Sequence, residues 1–128
     1  MALQYGVNFR NAGLNGKATN LGATSTLKIF SGAVPANCAA ADPTGLLCTM
    51  TLPAAPFATA AAGAMALAGT WNGTASATGT AACHRIYDSS ANCAIQGNVT
   101  TDLVLNNTSI TNGQSISVTG YTLTSGNA

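Results

Sequence analysis

Glutamate is absent from this chain, and only seven of its 128 residues are charged: four Lys and Arg and three Asp. A free soluble domain carries about a quarter Asp, Glu, Lys and Arg, against 5% here, and the net charge is only +1. The like-charge repulsion that keeps independent proteins apart in solution is therefore nearly missing. Polarity comes instead from Thr, Ser, Asn and backbone amides. Such a surface costs little to desolvate and suits permanent packing against other subunits, so the composition points to a component of an assembly.

Other absences exclude further classes. The four cations Arg10, Lys17, Lys28 and Arg85 are scattered along the chain, whereas a groove that tracks phosphates needs them clustered; nucleic acid is not an expected partner. The longest apolar run, residues 54–68, is mostly Ala and is broken by Pro56 and Gly63, too short to span a bilayer. Met1-Ala2-Leu3-Gln4-Tyr5 lacks the basic and apolar regions of a secretory signal. Synthesis in the cytoplasm, with no membrane as partner, is the expectation.

Catalytic groups are in short supply. General acid–base chemistry needs a carboxylate pair, or a His with an orienting acid. Here Asp42, Asp88 and Asp102 read as turn or strand-edge residues, and His84 is the only histidine. Cys83 and His84 are adjacent in a strand-like run, so their side chains point to opposite faces and cannot form a nucleophile–base pair. No catalytic, cofactor-binding or metal-binding residue is assigned, no cofactor is expected, and an enzyme is not the expectation. A metal set of Cys38, Cys93 and His84 matches no known ligand spacing.

The four cysteines, Cys38, Cys48, Cys83 and Cys93, contain no C-x-x-C pair, so zinc-ribbon and thioredoxin readings lack support. Cytosolic synthesis favours free thiols, while a particle released later into an oxidising medium allows late disulfides. Four cysteines permit three pairings, and spacing does not choose among them.

What is present reads as strands and turns. Aromatics are 5% of the chain, so the core is expected to be thin and sheet-like, anchored by Phe9, Phe30, Phe57, Trp71, Tyr87 and Tyr121. Residues 1–25 form an N-terminal extension in which residues 7–14 suit a short helix, weakened by Gly13, Gly16 and the asparagines. A docked helix and an arm packed on a neighbour both fit. Residues 26–128 are expected to form one β domain. Alternation starts at residues 26–30, and residues 46–52 place Leu46, Cys48, Met50 and Leu52 on one face. Residues 33–45, with Pro35, Pro43 and an Asp42-Pro43-Thr44-Gly45 turn signal, form a loop. Residues 58–68 suit a short helix or a loop, with Met65 opening a strand toward Trp71. Asn72-Gly73 and Gly79 are turn signals.

The clearest hairpin pairs residues 83–87 with 93–99. With Tyr87 opposite Cys93, Cys83 falls opposite Gly97, which leaves Cys83 and Cys93 about 13 Å apart at strand rise, beyond disulfide reach. Leu103-Val104-Leu105 opens a second hairpin, with a turn at residues 110–114 and a strand from Ser115. The apolar phase slips at Gly120, the mark of a β-bulge. Seven or eight short strands at this spacing imply an all-β, single-domain β-sandwich or jelly-roll-like barrel. Trp71 admits two readings, a buried or interface anchor and a sugar-stacking platform, and the first fits better because no polar and acidic groups converge beside it.

Several stretches together resemble one family. They are Met1-Ala2-Leu3-Gln4-Tyr5 with Arg10-Asn11-Ala12, the run from Leu27-Lys28-Ile29-Phe30 to Asp42, Thr49-Met50-Thr51-Leu52-Pro53, Ala68-Gly69-Thr70-Trp71, Arg85-Ile86-Tyr87-Asp88, Ile95-Gln96-Gly97 and residues 107–128. The chain is similar along nearly its whole length to small virion structural proteins of tailed bacteriophages and prophages. In similar sequences Cys38 and Cys93 have counterparts more readily than Cys48 and Cys83. The resemblance implies a virion component, with a capsid decoration (cement) protein as the leading expectation. Such a protein binds the outside of the head as a homotrimer and bridges neighbouring major capsid protein subunits, here with the N-terminal arm and C-terminal strand as candidate contacts. The alternatives are a tail or tail-fibre component, including a receptor-binding knob, and a carbohydrate-binding module using Trp71.

Overall fold

Strands make up most of the regular structure in a computed structural model of the chain, which describes residues 3–125. Residues 1–2 and 126–128, which hold the start of the expected arm and the end of the polar tail, lie outside the described residues. One helix, α1 (Val7–Leu21), precedes ten strands: β1 (Thr26–Phe30), β2 (Leu46–Thr51), β3 (Ala64–Ala66), β4 (Asn72–Thr74), β5 (Gly79–Thr80), β6 (Cys83–Tyr87), β7 (Cys93–Asn98), β8 (Leu103–Leu105), β9 (Ser109–Ile110) and β10 (Ser115–Thr124). The protein is all-β in class, with antiparallel sheets.

The first sheet runs β2-β1-β6-β7. Its inner face carries Leu27, Ile29, Cys48, Met50 and Ile86, all buried in one core. At its centre every residue of β6 is buried, because the loop of residues 31–45 covers the outer face as the core covers the inner one. Two bulges shift the expected registers. Ile29 pairs with Cys48 but Phe30 pairs with Leu46, so Leu47 is the extra residue. It turns inward, and Leu46, expected on the apolar face, points out to solvent. Tyr87 does pair with Cys93, but an extra residue at Ala94 puts Cys83 opposite Asn98 instead of Gly97.

The second sheet is organised by β10. Along one edge the chain from β3 to β4 follows it almost continuously. Thr122–Thr124 pairs with β3 and Ser115–Ser117 with β4, while Leu67 N–H donates to Tyr121 C=O and Val118 N–H to Trp71 C=O between them. Asn72-Gly73, read from sequence as a turn, is thus strand, captured by a long partner; Gly79, also read as a turn, pairs in β5 with β9. Ile110 belongs to β9 and is buried rather than opening a turn. On the other edge β8 pairs with β10, and the register slips between Val118 and Gly120, where the apolar phase of the sequence breaks. A Cys48–Ala75 bridge and the Ser76 N–H to Leu47 C=O bond join the two sheets at β2.

The helix is longer than its glycines suggest. Gly13 and Gly16 cost about 1 kcal/mol each against Ala, but tertiary contact overrides propensity. Leu14 and Leu21 enter the common core, and the Asn11 and Asn15 side-chain oxygens accept the Gly63 and Ala60 backbone N–H groups, both at 2.9 Å. Of the six candidate aromatic anchors, five are buried. Trp71 sits edge-on to Phe57 at 5.3 Å and beside Tyr121 at 5.5 Å. Phe9 is the exception, 70% exposed, because it lies on the helix face opposite Leu14 and Leu21.

Candidate interaction surface

The groups with chemical potential are spent on structure. His84 is fully buried on the inner face, its Nε2 2.9 Å from the Tyr121 hydroxyl, and its Nδ1 has no hydrogen-bond partner among the described residues. Burial pushes its pKa down to about 4, against a smaller upward pull from Asp102. Asp88 accepts the Ser90 and Asn92 N–H groups at 2.9 Å and closes the β6–β7 turn; those bonds hold its carboxyl below the usual range. Asp102 accepts the Asn98 N–H at 2.8 Å. The set Cys38, Cys93 and His84 is not brought together: the two cysteines share a cavity on the outer side of the first sheet, whereas His84 faces the core. Trp71 is 1% exposed and donates its indole N–H to Ala68 C=O, so it is a core anchor and offers no stacking platform.

Among the described residues, the most elaborate polar cluster lies between β6 and the 31–45 loop. Antiparallel pairing sets Lys28 directly opposite Arg85, an unfavourable placement of like charges that Asp42 compensates. Arg85 is 2% exposed, and its Nη1 meets Asp42 Oδ1 and Ala40 O at 3.0 Å. Its Nη2 meets Asn37 O at 3.1 Å and Gln96 Oε1 at 3.0 Å. Gln96 in turn donates to Pro35 O at 2.8 Å. The Tyr87 hydroxyl donates to Asp42, and this bond, ahead of the Arg85 bond, holds the Asp42 carboxyl below its ordinary value. Burial, then Asp42, pushes the Tyr87 phenol up. The Lys28 ammonium rests 5.0 Å from the centre of the Tyr87 ring. The cluster is a clasp: it pins an irregular loop through its backbone carbonyls. Sequence reasoning missed it, because carbonyl acceptors carry no residue signature; two cations in register with a loop Asp were the one available sign.

Exposed apolar side chains are concentrated at the N-terminus. Leu3, Val7 and Phe9 project to solvent, and Tyr5 meets Phe9 edge-on at 5.3 Å. No charged residue occurs before Arg10. The segment differs from scattered exposed apolar residues such as Leu46 and Val104 in being contiguous. Behind it, a groove of about 540 Å³ runs between α1 and strands β7 and β10, with Gly16, Lys17, Ile95 and Leu123 in its wall. The other contact anticipated from sequence, the C-terminal strand, is less available, since β10 is hydrogen-bonded along both edges for much of its length. Among the described residues no helix is long and apolar enough to cross a membrane. No family model matches the chain, and neither a curated protein nor a solved structure does.

Proposed function

We propose that this protein is a bacteriophage capsid decoration protein, a β-sandwich that binds the outer face of an assembled head and bridges neighbouring major capsid subunits. The observation that carries the reading is an exterior almost free of ions with an uncharged apolar segment projecting from it. Of the seven charges, Arg85 is already buried against Asp42. Covering such a surface desolvates few charges, and so avoids the penalty that burying ion pairs brings. Leu3, Tyr5, Val7 and Phe9 are the contact residues, seated on the shell.

Burying one Phe side chain contributes about 1.5–3 kcal/mol. A homotrimer repeats that contact, so that weak single interfaces hold collectively. Binding to the assembled shell then stabilises it by mass action. Adding the purified protein to heads that lack it tests the reading: saturable binding to the shell is expected. Phe9→Ser is expected to weaken binding at least ten-fold per contact with an unchanged Tm, because Phe9 makes no core contact. Binding to tails alone, or equal binding by the variant, refutes the assignment.

A further inference from the structure

Of the four cysteines, two are accounted for by local packing. Cys48 and Cys83 are fully buried, and each donates its thiol to a backbone carbonyl, Thr74 O at 3.6 Å and Gly32 O at 3.2 Å. They pair with successive β1 residues, Ile29 and Phe30, so their side chains leave opposite faces of the sheet and cannot join. Cys38 and Cys93 are only half-buried, although the Cys93 thiol also donates to a carbonyl, Ile95 O at 3.6 Å. Cys38 lies on the 31–45 loop, bracketed by three anchored carbonyls: Pro35 on Gln96, and Asn37 and Ala40 on Arg85. Cys93 sits opposite Tyr87 on β7, three residues from Gln96. The clasp therefore delivers the loop onto the strand that carries Cys93, and both half-buried thiols line one cavity of about 570 Å³ that is open to solvent. Burial pushes the Cys93 thiol up to about 11, with the neighbouring Cys38 thiol adding to the rise.

We infer that Cys38 and Cys93 form an intramolecular disulfide when the protein meets an oxidising medium, stapling the long loop to the edge of the first sheet. The Arg85 clasp holds the loop against the sheet, so closure joins two segments that are already neighbours. The oxidant is a small-molecule disulfide such as oxidised glutathione. One thiolate of the pair attacks a glutathione sulfur, and the first glutathione leaves as a thiol. The second protein thiolate then attacks the mixed disulfide and releases the other glutathione. The protein loses two electrons and two thiol protons, and both protons end on the two glutathiones. The inference holds whether or not the protein sits on a capsid.

Trypsin provides the readout, since cleavage after Lys28 and Arg85 leaves Cys93 as the sole cysteine of fragment 86–128 and puts the other three in fragment 29–85. The full chain is incubated with oxidised glutathione, alkylated and digested without reductant. The expected product is a covalent 29–85/86–128 pair from a protein that stays monomeric on a non-reducing gel. The pair is absent from Cys38→Ser, whose Tm matches that of the reduced wild type. Oxidation is expected to raise the wild-type Tm by about 10 °C, reversibly with dithiothreitol. Alkylated Cys93 after oxidation overturns the inference, as does a link that survives Cys38→Ser or one found only between chains.

Discussion

His84 makes acid stability a direct probe of the core. It is the chain's only histidine, 0% exposed against Tyr121, with a folded pKa lowered from 6.5 to about 4. Below pH 6.5 the unfolded chain takes up a proton that the folded chain refuses until about pH 4. Protons thus bind preferentially to the unfolded state, and stability falls as pH drops through that window. At 1.36 kcal/mol per unit, the loss is about 3 kcal/mol, a large part of the ~5–15 kcal/mol that holds a domain folded. Asp42 and Asp88, whose pKa values are lowered from 3.8, begin to withdraw their contributions only below about pH 5, so between pH 6.5 and 5 His84 sets the slope. Urea unfolding followed by Trp71 fluorescence is the assay; with a slope of about 1.5–2 kcal/mol per molar, the midpoint should drop by about 2 M. His84→Gln keeps a polar partner for Tyr121, lowers stability at pH 7 and flattens the profile. A wild-type midpoint that stays level from pH 7 to 4.5, or a variant with an undiminished slope, refutes the burial argument.

Other perturbations test other parts of the fold. Arg85→Met removes three hydrogen bonds to the loop and one to Gln96 on β7, leaving Asp42 only its Tyr87 partner; a loss of about 3 kcal/mol and faster proteolysis within residues 31–45 are expected, and an unchanged digestion rate contradicts the clasp. Trp71→Ala is expected to cost about 3–5 kcal/mol in chemical denaturation, since Trp71 packs on both Phe57 and Tyr121. Gly16→Ala meets open space and should stabilise α1 by about 0.5–1 kcal/mol, read as a rise in Tm.

Where neighbours along the chain decide structure, the sequence was informative. The β6–β7 hairpin follows from two alternating runs around Asp88 and Asn92, and the bulge near Gly120 from a visible slip in the apolar phase. Trp71 reads as an anchor because nothing polar gathers beside it. Distant partners decide the rest. Leu47 turns inward because β1 and β2 differ by one residue in register, which the 46–52 pattern alone does not reveal. Asn72-Gly73 becomes strand because β10 is long enough to hold it. The helix outlasts Gly13 and Gly16 because Asn11 and Asn15 accept the N–H groups of Gly63 and Ala60, far along the chain. The Arg85 clasp escaped for the same reason: three of its acceptors are a loop's carbonyls and a glutamine with no motif.

Particle composition tests the central claim most directly. Quantitative mass spectrometry of purified virions, paired with a reconstruction of the head, gives the copy number of this chain and the position of its density. Decoration of the shell predicts copies in the hundreds, with density on the outer face and the segment bearing Phe9 against the major capsid protein. Copies in single digits or tens with density confined to the tail, or no copies in the particle, contradict it.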